Sequence, residues 1–115
     1  NKLMTSSLYP LEILLEKNKK KLKVKFNDNK SFSISAELLR VESPSAEVQG
    51  HGRKVIVKNK KDVQINNIEL IGNYAIKIIF SDGHDSGLYT WEKLLEFGLN
   101  EKLFLLNYYE TIKRS

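Results

Sequence analysis

Lysines alternate with apolar residues through KLKVKF at positions 21–26, and this pattern constrains the fold more than any other feature of the 115-residue chain. Successive side chains of an extended strand point to opposite faces. Leu22, Val24 and Phe26 therefore fall on one face, and the three lysines fall on the other. The pattern predicts a half-buried strand with a row of lysines in water.

Turn residues and further apolar patterning extend this strand into an antiparallel arrangement. The sequence NDNK at 27–30 favours a hairpin, because Asn and Asp tolerate left-handed conformations, and SFSIS at 31–35 predicts the returning strand. One or two further strands are expected in KVIVKN and DVQINNIELIGN, residues 54–59 and 62–73. The strongest strand pattern is YAIKIIF at 74–80, which lies between two turn sequences.

Capping residues indicate where helices begin and end. Ser35 can cap a short helix that starts at Ala36, and Pro44 should stop it, since the residue before a proline is disfavoured in a helix. Thr90 is the expected N-cap of a second helix, and Gly98 stands where a left-handed C-cap residue is common.

A third helix is expected at the end of the sequence. Asn100 can cap it, with Leu99 and Phe104 spaced as a hydrophobic staple. With the first apolar stretch, LYPLEILLEK at 8–17, counted as a strand, the order is three strands, a helix, more strands and then helices, which indicates an α+β fold. We expect a single domain in which a small antiparallel β-sheet packs with a short central helix and C-terminal helices.

The charge and the cysteine content exclude several classes of function. The net charge is +5, but only three of the 19 basic residues are arginines. Because arginine reads phosphates and base edges better than lysine, this surplus argues against sequence-specific nucleic-acid recognition. The absence of cysteine excludes disulfides, thiolate zinc sites and thiol nucleophiles. No apolar run approaches the ~20 residues of a membrane span, and we expect a cytoplasmic protein.

The turn SDGHDSG at 81–87 places one of the two histidines between two aspartates. A metal site is one interpretation, in which His51 and His84 converge with Asp82 or Asp85. Adjacent residues of an extended chain point to opposite faces, so His84 and Asp85 fit such a site poorly. The simpler interpretation is structural: Asp82 begins a tight turn, and the polar side chains bond loop amides.

Sequence signatures of catalysis are missing. No serine lies in a G-x-S-x-G elbow, and QGHGRK at 49–54 lacks the spacing of a phosphate-binding loop. We therefore assign no catalytic residue. The aromatic residues Tyr74, Tyr89 and Trp91 are expected in the core and at its rim.

Two strings carry a family resemblance. LLRVESPSAEVQGHG and IGNYAIKIIFSDGHDSGLYTWEKL, with the interval between them, resemble the gamma-butyrobetaine hydroxylase-like N-terminal domain, a small domain of unknown function. The resemblance runs from about Leu11 to Leu95. It implies a small α+β fold that occurs alone in bacteria, attached to iron-sulfur carrier P-loop ATPases, and ahead of the catalytic domain of carnitine-pathway oxygenases. Because oxygenase catalysis belongs to that other domain, the resemblance brings no catalytic residue to this sequence.

The resemblance also implies a zinc site of three cysteines and one histidine, which this sequence does not preserve. Placing LRVESPSAEV on the family's cysteine motif puts Ser43, Ser45 and Val48 at the thiolate positions, and His84 at the histidine position. Two neutral hydroxyls and a valine cannot replace three thiolates, so we expect a degenerate site without zinc or another cofactor. Our hypothesis is that His84 instead forms a hydrogen bond with Ser43 or Ser45.

These observations predict a flexible segment at 1–10, the family domain at 11–98 and a C-terminal helix packed on it at 99–115. The leading hypothesis is a non-catalytic accessory domain that binds a protein, such as an iron-sulfur carrier ATPase in cluster assembly or an oxygenase. The residues proposed for interaction are Arg40, Ser43, Ser45, His51, Asp82, His84, Asp85, Tyr89 and Trp91.

Two alternatives remain open. One is a small metal-binding protein that uses His84 with His51, Asp82 and Asp85. The other is weak, unspecific nucleic-acid binding through the lysines at 19–25 and the basic residues at 53–61.

Overall fold

A computed structural model describes residues 8–43, 57–85 and 87–114. Three strands and a short helix are followed by three more strands and a long helix, which is the order that the α+β prediction requires. The elements are β1 (Pro10–Leu15), β2 (Lys21–Phe26), β3 (Ser31–Ser35), α1 (Ala36–Val41), β4 (Ile65–Ile71), β5 (Ala75–Phe80), β6 (Leu88–Thr90) and α2 (Trp91–Arg114). None of the helices in these ranges is long and apolar enough to cross a membrane.

The strands form two antiparallel sheets of three strands each, in the orders β1-β2-β3 and β4-β5-β6. The α+β class is confirmed, but the sequence predicted a single sheet. Ser35 turns the chain out of β3 and into α1, so the next strand, β4, pairs only with β5. The sheets are joined where the Ile65 amide donates to the Lys19 carbonyl at 2.7 Å and the Gln64 side chain donates to the Asn18 carbonyl at 2.9 Å.

The alternation in β2 has the predicted consequence. Its three apolar residues are fully buried, while Lys21 and Lys23 are exposed. The β2–β3 hairpin is also confirmed, with Asn29 in a left-handed conformation at φ 70°. Both sheets and both helices contribute to one core, whose largest buried side chains include Phe26, Phe80, Tyr89 and Phe97.

Helix α1 begins as predicted. The Ser35 hydroxyl accepts a hydrogen bond from the Leu38 amide at 3.1 Å, and this caps the first turn. The helix ends at Val41, and Pro44 lies outside the described residues. Thr90 likewise caps α2, since its hydroxyl accepts from the Lys93 amide at 3.2 Å.

Gly98 is not the predicted left-handed C-cap, but a break between two helical segments does occur two residues later, at Asn100. Gly98 continues α2, and a Cβ atom there would lie 2.6 Å from Cγ of Phe32 on β3. The glycine is needed for close packing rather than for a C-cap. Asn100 marks a kink at φ −121° and ψ 23°, where its side chain donates to the Glu96 carbonyl at 3.1 Å. Leu99, the expected staple residue, is exposed.

Three further parts of the chain show where the strands lie. Of the one or two strands expected in KVIVKN and DVQINNIELIGN, the structure has one, β4; the described part of KVIVKN contains no strand, and there Asn59 turns the chain at φ 63° and Tyr108 donates to the Val57 carbonyl. Strand β6 was not predicted, since three residues are too few to show alternation. Most of the segment expected to be flexible, residues 1–7, lies outside the described residues; β1 starts at Pro10, and Tyr9 exchanges hydrogen bonds with Asn27.

Candidate functional site

The two sequence motifs meet at the C-terminal end of α1. Ser43 lies just after the helix, and His84 lies in the turn between β5 and β6. The Oγ atom of Ser43 is 2.9 Å from the Nε2 atom of His84. Ser43 is fully buried. The hypothesised hydrogen bond between His84 and a serine is therefore present, and it joins residues 41 positions apart.

Asp82 joins the same two segments through charge. Its carboxylate accepts hydrogen bonds from Nε of Arg40 at 2.8 Å and from Nζ of Lys60 at 2.6 Å. The backbone amide of His84 also donates to it at 3.1 Å. Burial alone would raise the pKa of Asp82, but the bonds from Lys60, the His84 amide and Arg40 outweigh burial and lower that pKa to about 2.

Tyr89 lies beneath this cluster in the core. Its hydroxyl donates to the Leu39 carbonyl at 2.5 Å, within the last turn of α1. Burial raises the pKa of Tyr89 far above its ordinary value, although the Ser43 hydroxyl and the Arg40 charge act in the opposite direction. Tyr89 is thus a neutral donor that fixes α1 against β6, as the expectation of a core position required.

The turn after β5 is held tightly by its own backbone. Gly83 has φ 90°, a left-handed conformation that suits glycine, and its amide donates to the Phe80 carbonyl at 3.0 Å. The Phe80 amide donates to the His84 carbonyl, also at 3.0 Å. Ser81 exchanges two hydrogen bonds with Gln64, one at 2.8 Å and one at 2.9 Å. These contacts support the interpretation of SDGHDSG as a structural turn.

The side chains gathered here do not suit zinc. Ser43 offers a neutral hydroxyl that already bonds to the imidazole, and Asp82 is held by two cations. No group of three or more His, Asp or Glu side chains that could hold a metal occurs in residues 8–43, 57–85 and 87–114. The positions of Ser45, Val48 and His51 lie outside the described residues. We therefore derive no zinc chemistry from this cluster.

Nucleophilic catalysis does not fit this cluster either. A serine nucleophile needs room for a substrate beside its hydroxyl. Ser43 has 0% exposure, so a substrate cannot reach its Oγ without opening the core. The cluster of Arg40, Ser43, Asp82 and His84 connects α1 to the β5–β6 turn around the buried Ser43, and we call it the buried cluster although its Asp82 side chain is 23% exposed.

Trp91 lies apart from this cluster, beside an open groove at the end of the molecule. Its indole Nε1 donates to the Asn73 carbonyl at 2.8 Å, which fixes the ring against the β4–β5 turn. We call this the Trp91 groove. It is lined by Leu8, Tyr9, Pro10, Leu70, Gly72, Asn73 and Trp91.

Apolar side chains are unusually open to solvent around the Trp91 groove. Leu70 is 69% exposed, Tyr74 is 51% exposed and Tyr9 is 50% exposed. Leu70 lies opposite Ile76, which is fully buried, so both belong to the core side of their sheet. Within residues 8–43, 57–85 and 87–114, the core is therefore uncovered at this end.

The comparisons with known proteins identify the family. The family model described as gamma-butyrobetaine hydroxylase-like, N-terminal, matches residues 13–95. The chain belongs to this family. The gamma-butyrobetaine hydroxylase-like domain thus covers β1 to the first turn of α2 and includes both motifs of the buried cluster.

Solved structures share the fold of this gamma-butyrobetaine hydroxylase-like domain. A protein whose solution structure was determined by NMR is 41% identical, with a TM-score of 0.82 over 96% of this chain and 83% of that one. A second NMR structure is also 41% identical, with a TM-score of 0.80 over 91% and 84%. A crystal structure of a protein of unknown function from Acidithiobacillus ferrooxidans, of the DUF971 family, is 35% identical, with a TM-score of 0.63 over 74% and 86%. No curated protein matches the chain.

The structure adds residues that the sequence did not indicate. Lys60 joins the cluster from a segment that shows no motif, and it lies 22 positions from Asp82. Tyr9 and Leu70 join Trp91 from two different sheets. A single sequence contains no local pattern that shows which residues, far apart along the chain, lie next to each other in the fold. Of the residues proposed for interaction, Ser43 and His84 form the hypothesised hydrogen bond and the His84 amide donates to Asp82, while Asp85 is exposed.

Proposed function

We propose that this domain is a non-catalytic accessory module that binds a partner protein through the Trp91 groove. The observation that carries the proposal is the uncovered core end around a fixed indole, where Leu70, Tyr9 and Tyr74 are each at least half exposed. Tryptophan and tyrosine are the residues most often found to dominate binding energy at protein interfaces. A clustered apolar surface of this kind is typical of an interaction site.

The rigidity of the groove supports binding rather than simple exposure. The Asn73 carbonyl holds the indole, and the Trp91 amide donates to the Tyr74 carbonyl at 3.2 Å. A ring that is already positioned loses little conformational entropy when a partner docks. The buried cluster of Ser43, Asp82 and His84 has a supporting role, because it fixes the turn that precedes β6 and Trp91.

The setting that we propose is cytoplasmic iron-sulfur cluster assembly, with a carrier ATPase as the partner, or alternatively an oxygenase. Family members attached to such proteins supply the support, which is an argument from association. The absence of cysteine in the chain is in keeping with a role beside the cluster-bearing protein rather than as its ligand.

The test is direct binding between the purified domain and a purified iron-sulfur carrier ATPase or oxygenase from the same organism. Leu70→Ser combined with Trp91→Ala should weaken binding at least about tenfold, since hot-spot truncations cost more than 1 kcal/mol each. Leu106→Ser is the matched control, because Leu106 is also exposed but lies on α2 away from the groove lining.

The proposal fails if neither candidate partner binds, or if the control weakens binding as much as the groove variant does. Thermal unfolding of each variant shows whether the fold is retained.

A further inference from the structure

The outer face of the β1-β2-β3 sheet carries a straight row of lysines. Lys21, Lys23 and Lys25 occupy alternate positions of the central strand, opposite the side that packs into the core. Serines of β3 lie opposite all three lysines, and β1 places Glu12 and Leu14 on the same face. We call this surface the lysine face.

No ion pair neutralises the lysines of the lysine face within the described residues, although Glu16 brings a carboxylate to this face through its hydrogen bond from the Ser33 hydroxyl at 3.1 Å. Four other described cations have acidic partners, namely Arg40 and Lys60 with Asp82, Lys20 with Asp62 at 3.4 Å, and Lys93 with Glu96 at 3.4 Å. Lys21, Lys23 and Lys25 form no ion pair with any residue in 8–43, 57–85 or 87–114. Glu12 lies opposite Lys25 in register but does not approach within ion-pair distance.

Strand geometry sets the spacing of these charges. Alternate residues of an antiparallel strand are about 6.8 Å apart, because each residue advances about 3.4 Å. An extended acidic segment with a carboxylate at every second residue has the same repeat. Such a segment can place one carboxylate over each ammonium group.

We propose that the lysine face binds an extended acidic segment of a partner protein, with carboxylates at alternate positions. Three adjacent charges of one sign repel one another, and carboxylates in register would relieve this repulsion. The hydroxyl of Ser31, opposite Lys25, can donate a further hydrogen bond to a carboxylate, whereas the Ser33 hydroxyl already donates to Glu16 and the Ser35 hydroxyl caps α1. Leu14, which is 48% exposed beside Lys23, offers an apolar contact to the intervening side chains.

The composition of the lysine face favours peptide over nucleic acid. Single-stranded nucleic acid is held by aromatic rings on which bases stack, and the outer face of these three strands presents no aromatic side chain. Lysine also lacks the planar fork with which arginine grips phosphates. The face suits carboxylates that follow its spacing.

This inference extends the proposed function by naming the chemistry of a partner segment, but it concerns a different surface from the Trp91 groove. The two can therefore fail separately. A synthetic peptide tests the lysine face without the natural partner, and a groove variant tests the groove without the peptide.

The experiment titrates the ¹⁵N-labelled protein with two peptides of identical composition and charge. One alternates glutamate and threonine, and the other has the glutamates in one block followed by the threonines. We expect the alternating peptide to bind several-fold more tightly and to shift the amide signals of β2 and its neighbours. Binding should weaken as salt is added, because the contacts are exposed ion pairs.

Replacing Lys21, Lys23 and Lys25 together with glutamine should weaken binding of the alternating peptide about tenfold, as three exposed ion pairs are lost. The control replaces Lys58, Lys102 and Lys113 with glutamine, which changes the net charge equally at exposed sites elsewhere. Amide spectra of both variants confirm their fold, and glutamine retains most of the aliphatic stem.

Three results would overturn the inference. Equal loss in both triple variants would show a response to net charge alone. Equal affinity for the alternating and blocked peptides would remove the argument from spacing. Tighter binding of a single-stranded oligonucleotide with the same number of charges would make the face a nucleic-acid surface instead.

Discussion

At the scale of single residues, the buried cluster joins the two family motifs through hydrogen bonds. Ser43 and His84 occupy positions where the family resemblance implies zinc ligands, and here their side chains contact each other directly. Tyr89 and Asp82 add two further links between the same segments. Ser43 and Tyr89 are fully buried, whereas the Asp82 side chain is 23% exposed, and loss of any of these contacts should lower stability.

Tyr89→Phe removes one of these links with minimal change in shape. The Leu39 carbonyl would lose a donor at a fully buried site, and we expect the free energy of unfolding to fall by about 1–2 kcal/mol. Chemical denaturation measures this value. Tyr74→Phe is the control, because Tyr74 is half exposed and its hydroxyl has no hydrogen bond within the described residues; it should change stability by less than about 0.5 kcal/mol.

The lowered pKa of Asp82 predicts how the free energy of unfolding depends on pH. Its pKa is about 2 in the folded protein against an ordinary value of 3.8. Since the folded pKa is the lower one, the stabilisation is fully present above about pH 4 to 5 and is lost as the pH falls towards 2. After allowance for its partial exposure, we expect a contribution of about 1–2 kcal/mol.

Denaturation curves at several pH values test this expectation. Asp82→Asn should be less stable near neutral pH and should lose less stability on acidification than the unmodified protein. Asp62→Asn is the control, since Asp62 is almost wholly exposed in its pair with Lys20. If Asp82→Asn loses as much stability on acidification as the unmodified protein does, Asp82 is not the source of the pH dependence and the prediction is wrong.

Some of these residue contacts could be predicted and others could not. The bond between His84 and Ser43 follows from the family resemblance, which aligns both residues on one lost site. The ion pair between Lys60 and Asp82 does not, because Lys60 lies between the two segments expected to form strands, just after the chain turns at Asn59. A charge in an irregular segment gives no pattern from which its partner can be read.

At the scale of elements, periodicity located the long strands and the capping residue Thr90 located the start of α2, but the break within α2 was placed at the wrong residue. Alternation located β2 and β5, since their buried and exposed residues follow period two. Gly98 misled the prediction because glycine has two uses: ending a helix, and allowing close approach. Only the position of Phe32, 66 residues earlier, distinguishes them.

Gly98→Ala tests the close approach between α2 and β3. Alanine is more favourable than glycine in a helix interior by up to about 1 kcal/mol, so replacing an exposed glycine there with alanine would stabilise a protein. Here the new methyl group would lie 2.6–3.0 Å from Phe32 atoms that include Cβ, which cannot move away cheaply. We expect a net destabilisation of about 1–3 kcal/mol, as in other overpacked sites.

The same change in a Phe32→Leu background provides the control, because the smaller side chain leaves room for the methyl group. Gly98→Ala should then cost clearly less than it does beside Phe32. An increase in melting temperature for Gly98→Ala alone would show that Gly98 is a simple surface position.

At the scale of the whole molecule, two small sheets share one core and leave it open at one end. The class of fold followed from the order of the elements, but the division into two sheets did not, because strand pairing is decided by long-range contacts. The Trp91 groove and the lysine face depend on this arrangement. Residues from both sheets line the groove, and the face exists because one side of β1-β2-β3 is uncovered.

The central claim is that hydrogen bonds, rather than a metal, join the two family motifs. The most direct measurement is elemental analysis of the untagged protein, purified without chelator, beside His84→Ala. We predict no stoichiometric zinc or iron in either sample, and no rise in melting temperature when zinc is added, since a ligand that binds only the folded state would raise it. Near-stoichiometric metal that disappears in His84→Ala would contradict the account and would favour a metal-binding protein built around His84.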